Sequence, residues 1–199
     1  MRATYRLQLT PELDFAAVAE LVPYLRDLGI SHLYLSPSLQ ARPGSTHGYD
    51  VVDPTRISDD LGGEDEFRAL CSAGLGVLLD VVPNHMAADE EHNPFWRDPL
   101  WRAKFFDLDW RTGAHRRFFD VGELAGVREE DPEVFETVHR TVLELVREGL
   151  VAGLRIDYDT LVRSLDRMLA DRSQADRDRF FWKNAASFYR LLLPSSEAT

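Results

Sequence analysis

The stretch Gly76-Val-Leu-Leu-Asp-Val-Val-Pro-Asn-His85 decides the fold. Residues 76–82 form a nearly continuous apolar run with one acid, Asp80, inside it. So short a run, without alternation, suits a strand covered on both faces, as in a parallel sheet. The segments before it repeat a strand-then-helix order. Residues 4–9 alternate as a strand, and Phe15, Val18, Leu21, Val22, Leu25 and Leu28 then recur at helical spacing. Gly29 ends that helix in the left-handed cap position. Pro23 inside it predicts a kink or a late start. His32-Leu-Tyr-Leu35 is a second strand, Ser36-Pro37 stops it, and a long polar loop is expected through Asp60. Residues 64–73 give a second helix ending at Gly74.

Downstream, residues 84–130 are rich in aromatics and charge and too long for a plain connection, so they read as an inserted subdomain. Asp131-Pro132 opens the next helix, with Asp at the N-cap and Pro at the first helical position. Its buried face is Val134, Phe135, Val138, Val142, Leu145 and Val146, and Gly149 ends it. Residues 150–156 form a fourth strand and residues 160–170 a fourth amphipathic helix. The expected organisation is three βα units over 1–83, an insertion over 84–130, a fourth βα region over 131–170, and a helical tail over 171–199. Strands alternating with helices imply an α/β fold with parallel pairing and right-handed crossovers, either a doubly wound sheet or a β/α barrel. A complete eight-fold barrel typically needs about 250 residues. Four strand signals therefore fit about half of one.

Composition excludes several functions. The 199 residues carry 23 Lys plus Arg against 34 Asp plus Glu, a formal charge of −11. No basic run appears, which argues against nucleic acid and against an anionic membrane surface. An apolar share of 44% suits a folded core. No stretch reaches the roughly 18 apolar residues of a membrane span. The alternating start is unlike a signal-peptide core, so a cytoplasmic location is expected. The single cysteine, Cys71, sits in an apolar helical context and reads as packing rather than as a nucleophile.

Chemistry collects where the strands end, the active face of β/α architectures. Gly44-Ser-Thr-His-Gly-Tyr-Asp50 follows the second strand, Asp80 and Asn84-His85 sit in and after the third, and Arg155-Ile-Asp157 closes the fourth. Burying charge beside apolar residues is costly unless it is paired, so Arg155 is expected to offset Asp80 and Asp157. A carboxylate beside a guanidinium stays ionised, which suits a nucleophile or a cation stabiliser. His85 with Asp80 and Asp157 does not form a diagnostic metal set.

Two of these stretches are specific. Asp80-Val-Val-Pro-Asn-His85 resembles the first signature of the α-amylase superfamily of glycoside hydrolases, and Gly153-Leu-Arg-Ile-Asp157 resembles the second. Within it, Thr4-Tyr-Arg-Leu-Gln-Leu9, Ser31-His-Leu-Tyr-Leu-Ser-Pro37, Gly44 to Asp53, Phe105-Phe-Asp-Leu-Asp-Trp110 and Glu148 to Asp157 are similar to the maltooligosyltrehalose synthase family. The resemblance implies a partial (β/α)8 barrel of about four βα units with a subdomain inserted after the third strand. It casts Asp157 as the nucleophile that forms a covalent glucosyl-enzyme and Arg155 as the group that holds it ionised. His47, Tyr49 and His85 would line the sugar subsite, with Tyr49 stacked on the ring, and Asp80 would support them from behind. The implied substrate is a maltooligosaccharide, whose reducing-end α-1,4 link is isomerised to an α,α-1,1 link without a cofactor. Some relatives hold calcium near the residue matching Asn84, but the sequence has no calcium loop of its own.

The pattern departs after the nucleophile, where Tyr158-Asp-Thr-Leu161 replaces the family's His and acidic-glycine run. No segment matches the general-acid Glu after a fifth strand or the third carboxylate after a seventh. The expectation is therefore a truncated or internally deleted sequence, nearly inactive alone and prone to self-association through exposed barrel edges. A hydrolase of the same superfamily and a non-catalytic sugar-binding remnant are the other readings. Trp96, Trp101 and Trp110 fit either a core of the insertion or a sugar platform.

Overall fold

The structure is a computed structural model and describes residues 1–118 and 121–156. The first strand, β1 (Thr4–Leu7), leads to helix α1 (Phe15–Asp27) and to β2 (His32–Leu35). A pair of strands, β3 (Leu39–Ala41) and β4 (Val51–Ile57), and a 3₁₀ turn over Asp59–Leu61 precede α2 (Gly63–Cys71). Strand β5 (Gly76–Val81) follows, then β6 (His85–Ala87), the short helices α3 (Pro94–Arg97) and α4 (Pro99–Phe105), and β7 (Arg117–Phe118) with β8 (Val121–Gly126). Helix α5 (Pro132–Arg147) returns the chain to β9 (Gly153–Ile156). The expected helix at 160–170 and the tail at 171–199 lie outside the described residues.

The main sheet runs in the order β1-β2-β5-β9 with every neighbouring pair parallel. Each connection is therefore a crossover, the arrangement of a β/α barrel wall. The period-2 pleat divides its side chains. Leu7, Leu33, Leu35, Val77, Leu79 and Val81 belong to the larger core, with Phe15, Val18, Val22 and Leu25 of α1, Phe67 and Leu70 of α2, and Val142 and Leu145 of α5. Phe15 and Phe67 meet edge to face at 5.3 Å, and burying each stabilises the fold by about 1.5–3 kcal/mol. The alternate positions, Arg6, Tyr34, Leu78, Asp80 and Arg155, take the opposite face.

Local sequence explains the helix ends. Asp14 accepts from the Ala17 N–H and starts α1 at Phe15, so Pro23 lies within a helix that starts on time. Gly29 follows in the left-handed region at φ 90°. Asp131 caps α5 by accepting from Glu133 and Val134, as its Asp-Pro start predicts.

The long polar loop expected through Asp60 is corrected. Residues 39–57 instead form the antiparallel pair β3–β4, whose Leu39, Val51 and Ile57 join the larger core. Pro54 disguised the second strand, because proline cannot donate to a ladder. It is tolerated because residues 54–56 fall between the pairs Gln40–Asp53 and Leu39–Ile57, where the register shifts. Gln40, the buried polar member, binds Ala41 O, Asp60 and the Asp59 N–H.

Between β5 and α5 the strands pair antiparallel in the order β6-β8-β7. Met86, Trp96, Phe105, Phe106 and Ala125 form a second core with Val134 and Val138 of α5. Trp96 is therefore core, Trp101 packs edge-on to Phe95 and Phe105, and Trp110 stands 85% exposed. Arg42 Nε lies 2.9 Å from Asp89, and Arg42 Nη1 donates to Glu123 at 3.1 Å, which ties the β3–β4 turn to this region. Burial opposes the Asp89 charge, but the N–H groups of His92 and Glu91 and the His92 ring outweigh it and hold the carboxyl at about 2. With a folded value below the ordinary 3.8, its stabilisation is complete above about pH 4 and is lost as pH falls toward 2. Asp89→Asn is expected to flatten that acid limb in urea titrations between pH 2 and 5.

Glu129 and His139 are both buried, with Oε1 and Nε2 3.6 Å apart and neither atom in a hydrogen bond among the described residues. Removing one leaves the other buried without a partner, at a cost of about 1–3 kcal/mol. Urea denaturation should show His139→Leu less stable than the chain as it stands, with Glu129→Leu/His139→Leu recovering part of the loss.

Candidate active site

The site grows from Asp80, which β5 places opposite Arg155 of β9. Its side chain is 1% exposed, and three groups approach it. The Tyr34 phenol donates to Oδ2 at 2.8 Å, the Tyr49 phenol donates to the same oxygen at 2.6 Å, and Arg155 Nη1 donates to Oδ1 at 3.3 Å. Both phenols titrate above the ordinary tyrosine value, first because they are partly buried and then because each bonds to Asp80. They therefore remain protonated donors at neutral pH.

Tyr49 reaches Asp80 from the turn between β3 and β4. Gly48 makes that approach possible. It sits at φ 77°, and a Cβ there would lie 2.6 Å from the Pro37 carbonyl oxygen. Ser45 accepts from the Gly48 N–H and donates to Asp50, and His47 Nδ1 accepts from the Tyr49 N–H. A cleft of about 150 Å³ opens beside this turn, with Arg42, His47, Tyr49 and Asp50 on one wall and Val121, Glu123 and Leu124 of β8 on the other.

His85 is buried and stacks on Phe118 at 4.0 Å. Its Nε2 lies 3.1 Å from the Tyr49 carbonyl, which can only accept, so Nε2 carries a proton. Nδ1 faces the Asn84 amide at 2.8 Å. Asn84 is thus engaged with the ring, and among the described residues no group of three His, Cys, Asp or Glu could hold a metal ion.

The structure thus brings Tyr49, Asp80, Arg155 and His85 together and puts His47 with Tyr49 on the cleft wall. Asp157, which follows Ile156 directly, lies outside the described residues. His32 is a strand residue bonded to Ser31 Oγ. Cys71 is partly buried, and burial pushes its thiol up to about 11, as packing rather than nucleophilicity requires. Arg6, Gln8, Tyr34, Arg42 and Glu123 were not singled out by the motifs. For Arg6 and Tyr34 a signal existed, because they are the polar positions of two half-apolar alternating strands.

Parallel β/α units with a buried carboxylate held by donors from three elements and a polar cleft after their strands define the chain as barrel-enzyme architecture. It belongs to the α-amylase family: the profile described as alpha amylase, catalytic domain, matches residues 13–190. That match continues past Asp157, where the motif-by-motif resemblance stops. A Mycobacterium tuberculosis protein bearing the name maltooligosyl trehalose synthase is 33% identical over 78% of this chain and 31% of its own length. The solved maltooligosyltrehalose synthase of Arthrobacter ramosus is 31% identical, with a TM-score of 0.79 over 86% of this chain and 34% of its own. An α-amylase of Geobacillus thermoleovorans shares the fold at 20% identity, with a TM-score of 0.67 over 95% of this chain and 49% of its own. The chain spans about a third of the length of the two synthase relatives.

Replacing Asp80 by Asn keeps the shape but removes the charge that both phenols bind. Asp80→Asn is expected to cost about 1–3 kcal/mol in urea denaturation. It should also return the Tyr34 and Tyr49 ionisations toward the ordinary value in an alkaline absorbance titration.

Proposed function

We propose that this chain carries the sugar-gripping and nucleophile-bearing part of an α-glucan site of maltooligosyltrehalose synthase type, acting in the cytoplasm. The observation that supports it most is the Tyr49–Asp80–Arg155 cluster beside the cleft. An aromatic ring held rigidly by its hydroxyl suits stacking on a sugar face, and His47 and Asp50 on the same wall suit its hydroxyls. The acidic balance favours a neutral glucan over a phosphate-bearing ligand.

In this reading a glucosyl ring packs on Tyr49, with His47 and His85 fixing the subsite. Asp157 attacks the anomeric carbon as the bond to the glycosidic oxygen breaks, and the leaving oxygen takes a proton from an acid. The released reducing-end glucose then turns, and its anomeric hydroxyl attacks the same carbon. Asp157 is freed, an α,α-1,1 link forms, and the hydroxyl proton returns to the conjugate base. A retaining pair of this kind needs its two carboxyl groups about 5–5.5 Å apart. Exclusion of water decides between isomerisation and hydrolysis.

Titration calorimetry with millimolar maltopentaose is expected to show salt-insensitive binding that Tyr49→Ala weakens at least about fivefold, and absence of heat overturns the reading. Turnover by this chain alone should be very slow, because general acid–base assistance contributes about 10²–10⁴-fold and no acid Glu is matched in the sequence. Rapid formation of a non-reducing product, abolished by Asp157→Asn, would reveal an acid elsewhere in the chain.

A further inference from the structure

We infer that Arg6 is a positioning residue: from the edge strand β1 it holds the Tyr49 phenol on Asp80 and, with Gln8, anchors the turn that carries Tyr49. The inference rests on the α-glucan reading of Tyr49 and gives a role to Arg6 and Gln8, which the resemblance covers within Thr4 to Leu9 without assigning them one.

The geometry begins with the sheet. Arg6 pairs in register with Tyr34, so the two side chains rise from the same face of β1 and β2. The Arg6 guanidinium lies 5.5 Å from the centre of the Tyr34 ring, within cation–π range. Its Nη2 donates to Gln8 Oε1 at 3.0 Å and to the Tyr49 hydroxyl at 3.3 Å. Gln8 in turn donates through Nε2 to the Thr46 carbonyl at 3.2 Å. Arg6 of β1 and Gln8 just after it thus hold the β3–β4 turn at two points, a phenol and a backbone carbonyl.

Hydrogen-bond direction gives this contact its consequence. A guanidinium has donors only, so the Tyr49 oxygen accepts from Arg6. A phenol has one proton, and with a lone pair committed to Arg6 that proton points to Asp80 Oδ2, 2.6 Å away. The donor and acceptor capacities of the three groups thus fix the order Arg6 to Tyr49 to Asp80. Arg155 holds the other carboxylate oxygen, so the two cations secure opposite ends of one network. The guanidinium is itself stabilised first by the Tyr49 hydrogen bond. It also opposes the rise that burial and Asp80 impose on the Tyr49 phenol.

Two readouts separate positioning from general support of the fold. The first needs no sugar. Tyr49 ionisation, isolated as the difference between each protein and its Tyr49→Phe counterpart, should move to higher pH in Arg6→Met, because a cation that favours the phenolate is gone. Arg6→Lys should return it partway, since the ammonium restores charge without the planar fork. The second is a double-mutant cycle on maltopentaose affinity. Arg6→Met is expected to weaken binding about five- to tenfold with a melting temperature within a few degrees, Arg6→Lys less. In the Tyr49→Phe background Arg6→Met should have almost no further effect, because residues acting through one contact are not additive. An unchanged phenol titration, or additive losses in the cycle, overturns the inference. If the unsubstituted chain binds no maltopentaose, the α-glucan reading fails, and the phenol titration alone decides whether Arg6 sets Tyr49.

Discussion

A buried carboxylate, Asp80, organises the functional end of this protein. A charge taken out of water is tolerated only when strong donors replace the water, and here each donor comes from a different element. Tyr34 comes from β2, Tyr49 from the turn after β3 and Arg155 from β9. One electrostatic requirement therefore fixes the relative placement of two neighbouring strands and one excursion. Because all three groups also sit after or within barrel strands, the solution that satisfies the charge assembles the cleft wall.

The two apolar cores divide the labour. The larger one binds α1, α2 and the C-terminal half of α5 to the outer face of the sheet. The smaller one, built on Phe105, Phe106 and Trp96, shares Val134 and Val138 with the N-terminal half of α5. That helix spans both cores, so the segment between β5 and α5 is anchored to the element that delivers Arg155. Arg42 adds a polar tie from the β3–β4 turn to Asp89 and Glu123. The cleft lies between the parts so joined.

Family membership and the local chemistry agree on one point. The matched profile covers residues 13–190, and the stretches that carry the signatures are those the structure brings to the strand ends. The synthase relatives are about three times longer than the part matched here.

Much was legible in the sequence. Period-2 and period-3.6 patterns, Gly ends and the Asp-Pro start located the four parallel strands and three long helices, because those signals are set by local sterics and by burial of one face. Asp80, His85 and Arg155 could be named because charge inside or beside an apolar strand demands a partner. The β3–β4 pair was not legible: Pro54 breaks the strand signature, and only the register shift seen in three dimensions shows why it is harmless there. Nor could sequence tell that Trp96 is core while Trp110 is exposed, since both stand among charged neighbours. The Arg6–Tyr49–Asp80 chain joins residues 43 and 31 positions apart. No local pattern encodes such a contact. It exists because parallel pairing sets β1 beside β2 and a glycine turn at Gly48 lets the next loop fold back over them.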